Sequence, residues 1–342
     1  MKRSPFVRLF NRPLTSMEKM LLGIIILYIA IVTIKSPQFF SLSTFFDLFR
    51  SGSGFLILAL GALIVFISGG IDVSFAAIAI VSGYSSVLLS IALEIDNLFF
   101  IVFVSIVIGV LLGSINALLI YFYNLPTLIV TLGTASVFHG AMAILLGMKT
   151  FTRTDVPKSM LDFGSAQLFS FEVDGARVGL TVMAPVVVAV IVITWFLLYR
   201  TRIGRSVFAV GSNAESASRI GMSILFTRLF VYTYVGGLSG LVGIIYFSNL
   251  AYINPAAFVG TELPVIAAVV IGGTKLSGGE GTIFGTILGV LLWQLFQNTL
   301  IRLGFTASFN DLFFGAALVA ILGFIYYRQR QANKRALVFS TN

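Results

Sequence analysis

The chain has 342 residues, 58% of them hydrophobic and only 10% charged, and its mean hydropathy of +1.03 lies far outside the range of a soluble globular domain. It has no cysteine and a single histidine, which excludes disulfides, a thiolate nucleophile, and metal sites built on cysteine or on a histidine cluster. A net charge of +9 would suggest nucleic acid in a soluble protein. In a polytopic membrane protein its placement matters more, and no nucleic-acid partner is expected.

Residues 1–19 carry Lys2, Arg3, Arg8, Arg12 and Lys19 ahead of the apolar run Met20–Ile34. This is the layout of a signal sequence, but Lys35-Ser-Pro-Gln follows instead of a small-x-small cleavage site, so an uncleaved first span is expected. Further apolar runs lie at about 53–69, 74–92, 98–121, 126–147, 179–199, 229–248, 262–273, 283–302 and 309–327. Most approach the ~20 residues that cross a bilayer; the eighth is short. The expected fold is all-α, a transmembrane bundle of about ten spans over 20–327. Residues 1–19 and 328–342 are expected to be cytoplasmic segments.

With the N-terminus inside and every run crossing, Lys and Arg divide 15 inside to 7 outside, and Asp and Glu 4 to 9. Net charge is then +11 inside and −2 outside, as the positive-inside rule requires. Both termini are therefore expected on the cytoplasmic side of a membrane whose lipid surrounds the bundle.

Two stretches interrupt the apolar pattern. Gly69-Gly-Ile-Asp-Val-Ser74 and Gly272-Gly-Thr-Lys-Leu-Ser277 share Gly-Gly-x-x-x-Ser, each between two apolar runs. A helix can break inside hydrocarbon only where protein or water satisfies the freed backbone groups, so paired breaks point to the centre of a transporter. Short aqueous turns are the alternative. Asp72 aligns with Lys275; the two either pair across a pseudo-symmetric centre or are interfacial charges at helix ends.

The outer loop, 148–178, is a balanced polar surface that either caps the protein, receives a partner or merely connects. The inner loop, 200–228, holds Arg200, Arg202, Arg205, Arg219 and Arg228. Within it Asn213 can cap a short helix with Glu215 in its first turn and Gly221 at its end. Polar residues inside apolar runs tend to face the bundle interior: Asn116, Thr131, Thr134, Gln294, Gln297 and Asn298. Gln294 and Asn298 share a helical face beside Trp293 and Phe296, a set that suits either a sugar or interhelical hydrogen bonding. His139 stands in a run without a carboxylate and is expected to make a packing hydrogen bond.

No Gly-x-x-x-x-Gly-Lys-Ser/Thr loop occurs, so any ATP must be hydrolysed by another subunit. Buried carboxylates are scarce, which counts against the alternative of an ion-coupled secondary carrier.

Three motifs carry a family resemblance: Ser68-Gly-Gly-Ile-Asp-Val-Ser74, Gly204-Arg-Ser-Val-Phe-Ala-Val-Gly-Ser-Asn213 with Glu215-Ser-Ala217 and Gly221-Met222, and Ile266-Ala-Ala-Val-Val-Ile-Gly-Gly-Thr-Lys-Leu-Ser-Gly-Gly-Glu-Gly281. In this order they resemble the permease subunits of bacterial ABC importers for monosaccharides, the ribose, arabinose, xylose and galactofuranose family. The resemblance covers about 20–327. It implies a permease of the bacterial inner membrane without catalytic activity or cofactor, working with cytoplasmic ATP-binding subunits, a periplasmic sugar-binding protein and a second permease copy or related permease. It also makes 213–221 the coupling helix, with Arg205, Asn213, Glu215, Ala217 and Gly221 as the coupling residues and the small ones allowing close approach of the ATPase. The expected substrate pathway is Asp72, Ser74, Asn116, Thr131, Thr134, Glu262, Gln294 and Asn298. One departure is Glu262-Leu-Pro264, where many members carry Glu-Leu-Asp; the identity of the sugar is not carried over.

Overall fold

A computed structural model describes residues 14–173, 176–258 and 260–300, together with scattered positions from 303 to 327. The helices, in chain order, are α1 Ser16–Lys35, α2 Leu42–Ile67, α3 Phe75–Ala92, α4 Leu98–Tyr123, α5 Thr127–Leu145, α6 Lys158–Ser165, α7 Met183–Arg200, α8 Arg202–Ser212, α9 Ala214–Arg219, α10 Ile224–Leu250, α11 Glu262–Ile271 and α12 Ile283–Thr299. Seven helices among the described residues are long and apolar enough to span a membrane: α1 to α5, α7 and α10. α11 and α12 are apolar but shorter. The protein is therefore a mostly helical, multi-pass membrane protein. Most of the expected tenth run at 309–327, and the segments 1–13 and 328–342, lie outside the described residues.

Helix starts follow local chemistry. Thr15, Ser41, Asn97, Thr201, Ser223 and Thr282 each accept a backbone N–H of their own first turn, so the caps sit where Ser, Thr or Asn precedes an apolar run. The capping box of Thr15 and Glu18 starts α1 at Ser16, which takes residues 16–19 out of the expected N-terminal segment and into the helix.

The central helices are α2, α3 and α10, the three most deeply buried spans. α4 packs most extensively on α10, and small residues make this possible. Gly109-x-x-x-Gly113 on α4 faces Gly236-x-x-x-Gly240 on α10 so closely that a Cβ on any of the four would strike backbone carbonyl groups of the opposite helix. Lipid tails offer no hydrophobic drive for helix pairing, so backbone approach of this kind supplies the packing. Ser105 adds a hydrogen bond from Oγ to Gly240 O at 2.8 Å.

The all-α expectation needs one correction: within the outer loop Gln167–Val173 (β1) and Ala176–Thr181 (β2) pair as an antiparallel hairpin. Leu168, Phe169 and Phe171 favour a strand, and they stand exposed on it. The hairpin belongs to a cap held at one end of the bundle. Tyr84 donates to Lys149 O at 3.0 Å, and Phe151 bridges to Ile253. Arg50 donates to Asn249 Oδ1 and Gly164 O at 3.1 and 2.8 Å. Asp96 accepts the Lys158 and Ser159 N–H groups at the start of α6, both at 3.0 Å.

Candidate functional site

At the opposite end the three sequence motifs meet. Gly211, near the end of α8, lies against the carbonyl of Ile67 so tightly that no Cβ fits, and Gly69 packs on its other side. Gly278 approaches both Gly69 and Gly211. Gly279 N–H donates to Ile67 O at 2.9 Å. Three chain segments far apart in sequence thus touch backbone to backbone, which only glycine allows.

The first broken stretch is buried. α2 stops in a Schellman turn: Gly69 takes φ +82°, its N–H bonds Phe66 O, and the Gly70 N–H bonds Val65 O. The chain then runs without helix to Phe75, and α5 supplies the missing partners. Thr127 Oγ1 accepts the Ile71 N–H at 2.8 Å and Thr131 Oγ1 the Val73 N–H at 3.3 Å. Asp72, 3% exposed, accepts the Ser74 N–H and Oγ–H at 2.7 and 2.6 Å. Ser74 Oγ in turn accepts from Asn116 Nδ2 at 2.7 Å. Asp72, Ser74 and Asn116 therefore form one connected set, Thr131 holds the backbone beside it, and the stretch is no aqueous turn. Thr134 lies one turn on, bonded to Thr131 O at 3.3 Å.

The second stretch stands at the surface. Lys275 pairs with Glu280 at 2.6 Å, so it does not pair with Asp72. Asp72 is not an interfacial charge either, being enclosed by its own loop, α4 and α5. The far end of this stretch is fixed by Thr282, which caps α12 and donates to Glu18 Oε1 at 2.8 Å.

The expected short helix is present as α9. Asn213 Oδ1 accepts the Ser216 N–H at 2.8 Å, and Gly221 at φ +84° closes a Schellman turn with Gly221 N–H to Ser218 O and Met222 N–H to Ala217 O. Glu215 and Arg219 form an exposed i,i+4 pair. Ala217 differs from expectation. It is 2% exposed, so its small side chain seats α9 on the protein itself instead of leaving room for a partner. Gly221 is accounted for by its backbone angle. Sequence reasoning also passed over α8, signalled by Val207 and Val210 on one face after the Thr201 cap, and over Ile220. Ile220 is apolar yet 72% exposed at the tip; an aliphatic residue directly before the C′ glycine of a polar helix was the available signal.

The remaining candidates lie elsewhere. Gln294 and Asn298 bond each other at 3.2 Å, and Gln294 Oε1 also accepts from Ser51 of α2 at 3.3 Å. Trp293 stacks on Phe55. This set holds α12 to α2, the interhelical role. Glu262, at the start of α11, lines a cavity of about 240 Å³ with residues of α3 and α5, including His139. His139 does make a packing bond, from Nε2 to Pro255 O at 3.1 Å.

Comparison with known proteins agrees with this arrangement. A family model described as "Branched-chain amino acid transport system / permease component" matches residues 44–322. The chain is 32% identical over 305 residues to the autoinducer 2 import system permease protein LsrC of Yersinia pestis (strain Pestoides F), covering 89% of this chain and 83% of the relative. The LsrC of Yersinia pseudotuberculosis serotype O:3 (strain YPIII) gives the same values. No solved structure matches the chain. Match length and identity together show that this chain belongs to that family of membrane permeases, which are transport components and not enzymes.

Proposed function

We propose that the chain forms the passage of an ATP-driven importer that moves a monosaccharide, pentose or hexose, into the cytoplasm after a periplasmic binding protein delivers it. The relatives are named as permeases of an import system, and the chain has no phosphate-binding loop, so separate ATP-binding subunits supply the energy. In this reading the chain crosses the membrane ten times with both termini cytoplasmic. Stretches 68–74, 201–223 and 272–282 gather at the end that the basic residues assign to the cytoplasm. The capped loops gather at the other end.

The observation that carries the reading is the glycine contact joining α8, which leads directly into α9, to both broken stretches. Close-packed backbones do not slide independently, so a push on α9 reaches Gly69 and Gly278. In this reading Asn213 and Gly221 shape the lever and Ala217 seats it. Arg205, Glu215 and Ile220 present the face that the ATPase grips. Asp72, Ser74, Asn116 and Thr131 hold the first break in place, as a gate post beside the pathway.

Reconstitution with the ATP-binding subunits and binding protein tests this. Ile220→Glu should insert and fold normally, while sugar-stimulated ATP hydrolysis and uptake fall about tenfold. Normal uptake in that variant removes the coupling role. Uptake by the chain alone, driven by a proton or sodium gradient, would replace the importer by an ion-coupled carrier.

A further inference from the structure

The cavity beside Glu262 has walls of unlike kinds. α3 contributes Ala76, Ala77 and Ile80, α5 contributes Ala135, Ser136 and His139, and Ala257, Phe258 and Glu262 close it. At about 240 Å³ it is below the ~300–1,000 Å³ of sites for drug-sized ligands. It suits a small solute.

Its polar side chains are short of donors. The Pro255 carbonyl can only accept, so His139 Nε2 carries the hydrogen of their 3.1 Å bond, and a ring with its hydrogen there presents Nδ1 as an acceptor. Ser136 spends its hydrogen on Leu132 O at 3.2 Å, which leaves its lone pairs. Glu262 accepts no hydrogen bond and meets no cation among the described residues. No Lys or Arg among the described residues lines the space. Ala76 and Ala77, in the first turn of α3, also line the space.

A wall of unused acceptors suits a ligand whose groups donate hydrogen bonds without carrying charge. Hydroxyls do; a carboxylate or phosphate would face Glu262 with no cation to offset the repulsion. We propose that this cavity is a solute subsite for a neutral, hydroxyl-rich ring, with Glu262 and His139 accepting its O–H groups and the alanines and Phe258 covering its C–H face. The assignment rests on the import reading above and adds to it the place and the residues that would hold the sugar.

The absence of native cysteine gives a direct test. Ser136→Cys is placed in the full importer in proteoliposomes and treated with a charged methanethiosulfonate, with Ser170→Cys on the exposed hairpin as control. The probes are ribose, galactose, leucine and ribose 5-phosphate. The expected result is that the residue at 136 reacts, and that a sugar the vesicles accumulate slows the reaction about fivefold near saturation. Leucine and ribose 5-phosphate should leave it unchanged, and the control should be insensitive to all four. Adding Glu262→Gln should raise the sugar concentration needed for protection about tenfold.

A residue 136 that does not react, or reacts at one rate with and without a sugar the same vesicles accumulate, overturns the subsite and leaves the import reading standing. Slowing by leucine or by the sugar phosphate overturns the ligand class. Vesicles that accumulate no sugar with the unsubstituted chain sink the import reading itself.

Discussion

The two stretches that share Gly-Gly-x-x-x-Ser end in opposite environments. In the first, Ser74 is fully buried between Asp72 and Asn116, and its neighbours' backbone groups are satisfied by threonines of α5. In the second, Ser277 is exposed and the charges pair with each other at the surface. The shared letters are also out of step. The left-handed residue that ends the helix is the first glycine, Gly69, in one case and the second glycine, Gly273, in the other. Both helices stop by the same Schellman device, because a glycine pair after an apolar run supplies it wherever it occurs. Whether the chain then turns into the bundle or out of it depends on what stands opposite. Stretch 69–74 meets hydroxyls on α5; stretch 272–278 meets glycines that hold it flat against α8.

This contrast can be broken at three places. The largest effect is expected at Gly211, the residue both stretches share. Gly211→Ala drives a methyl group into the Ile67 carbonyl and should cost about 3 kcal/mol or more. The check is thermal unfolding of the detergent-solubilised protein, where an unchanged midpoint would mean the three segments are not locked together. Next comes Asp72→Ala, which strands the buried Ser74 N–H and should cost about 1–3 kcal/mol. Asp72→Asn keeps an acceptor and should recover much of that midpoint; an Asn variant as poor as Ala would show that charge, and not the hydrogen bond alone, is what the stretch uses. The smallest effect is expected for Lys275→Ala. Its pair with Glu280 is solvent-exposed on both sides, so the loss should stay below about 1 kcal/mol and shrink further in high salt. A drop as large as that of the Asp72 variant would erase the distinction between the two stretches.

Much of the bundle was legible because hydrophobic runs and caps are local signals. Helices α3, α4 and α5 lie within two residues of the runs that announce them. α2 and α10 extend further because Ser41 and Ser223 start them earlier than hydropathy alone indicates. The candidate site was legible in part. Asn213, Glu215 and Gly221 build the short helix expected of them, and Asp72, Asn116 and Thr131 face inward as polar residues in apolar runs should. The amides Gln294 and Asn298 carried the same signal, yet Gln294 bonds Ser51 of α2 and Asn298 bonds Gln294 within its own helix. Composition cannot separate those roles, since an amide that meets a ligand and one that meets a neighbouring helix need the same burial.

By itself the sequence determined that this chain lives in a membrane and where several of its helices must stop. These are properties of consecutive residues, set by the cost of exposing backbone and charge to hydrocarbon. Only the tertiary structure decided that Gly69, Gly211 and Gly278 are neighbours, that Ala217 faces inward and Ile220 outward, and that His139 shares a cavity with Glu262. Each of those facts concerns groups from separate segments, and nothing within any one segment encodes the distance to another.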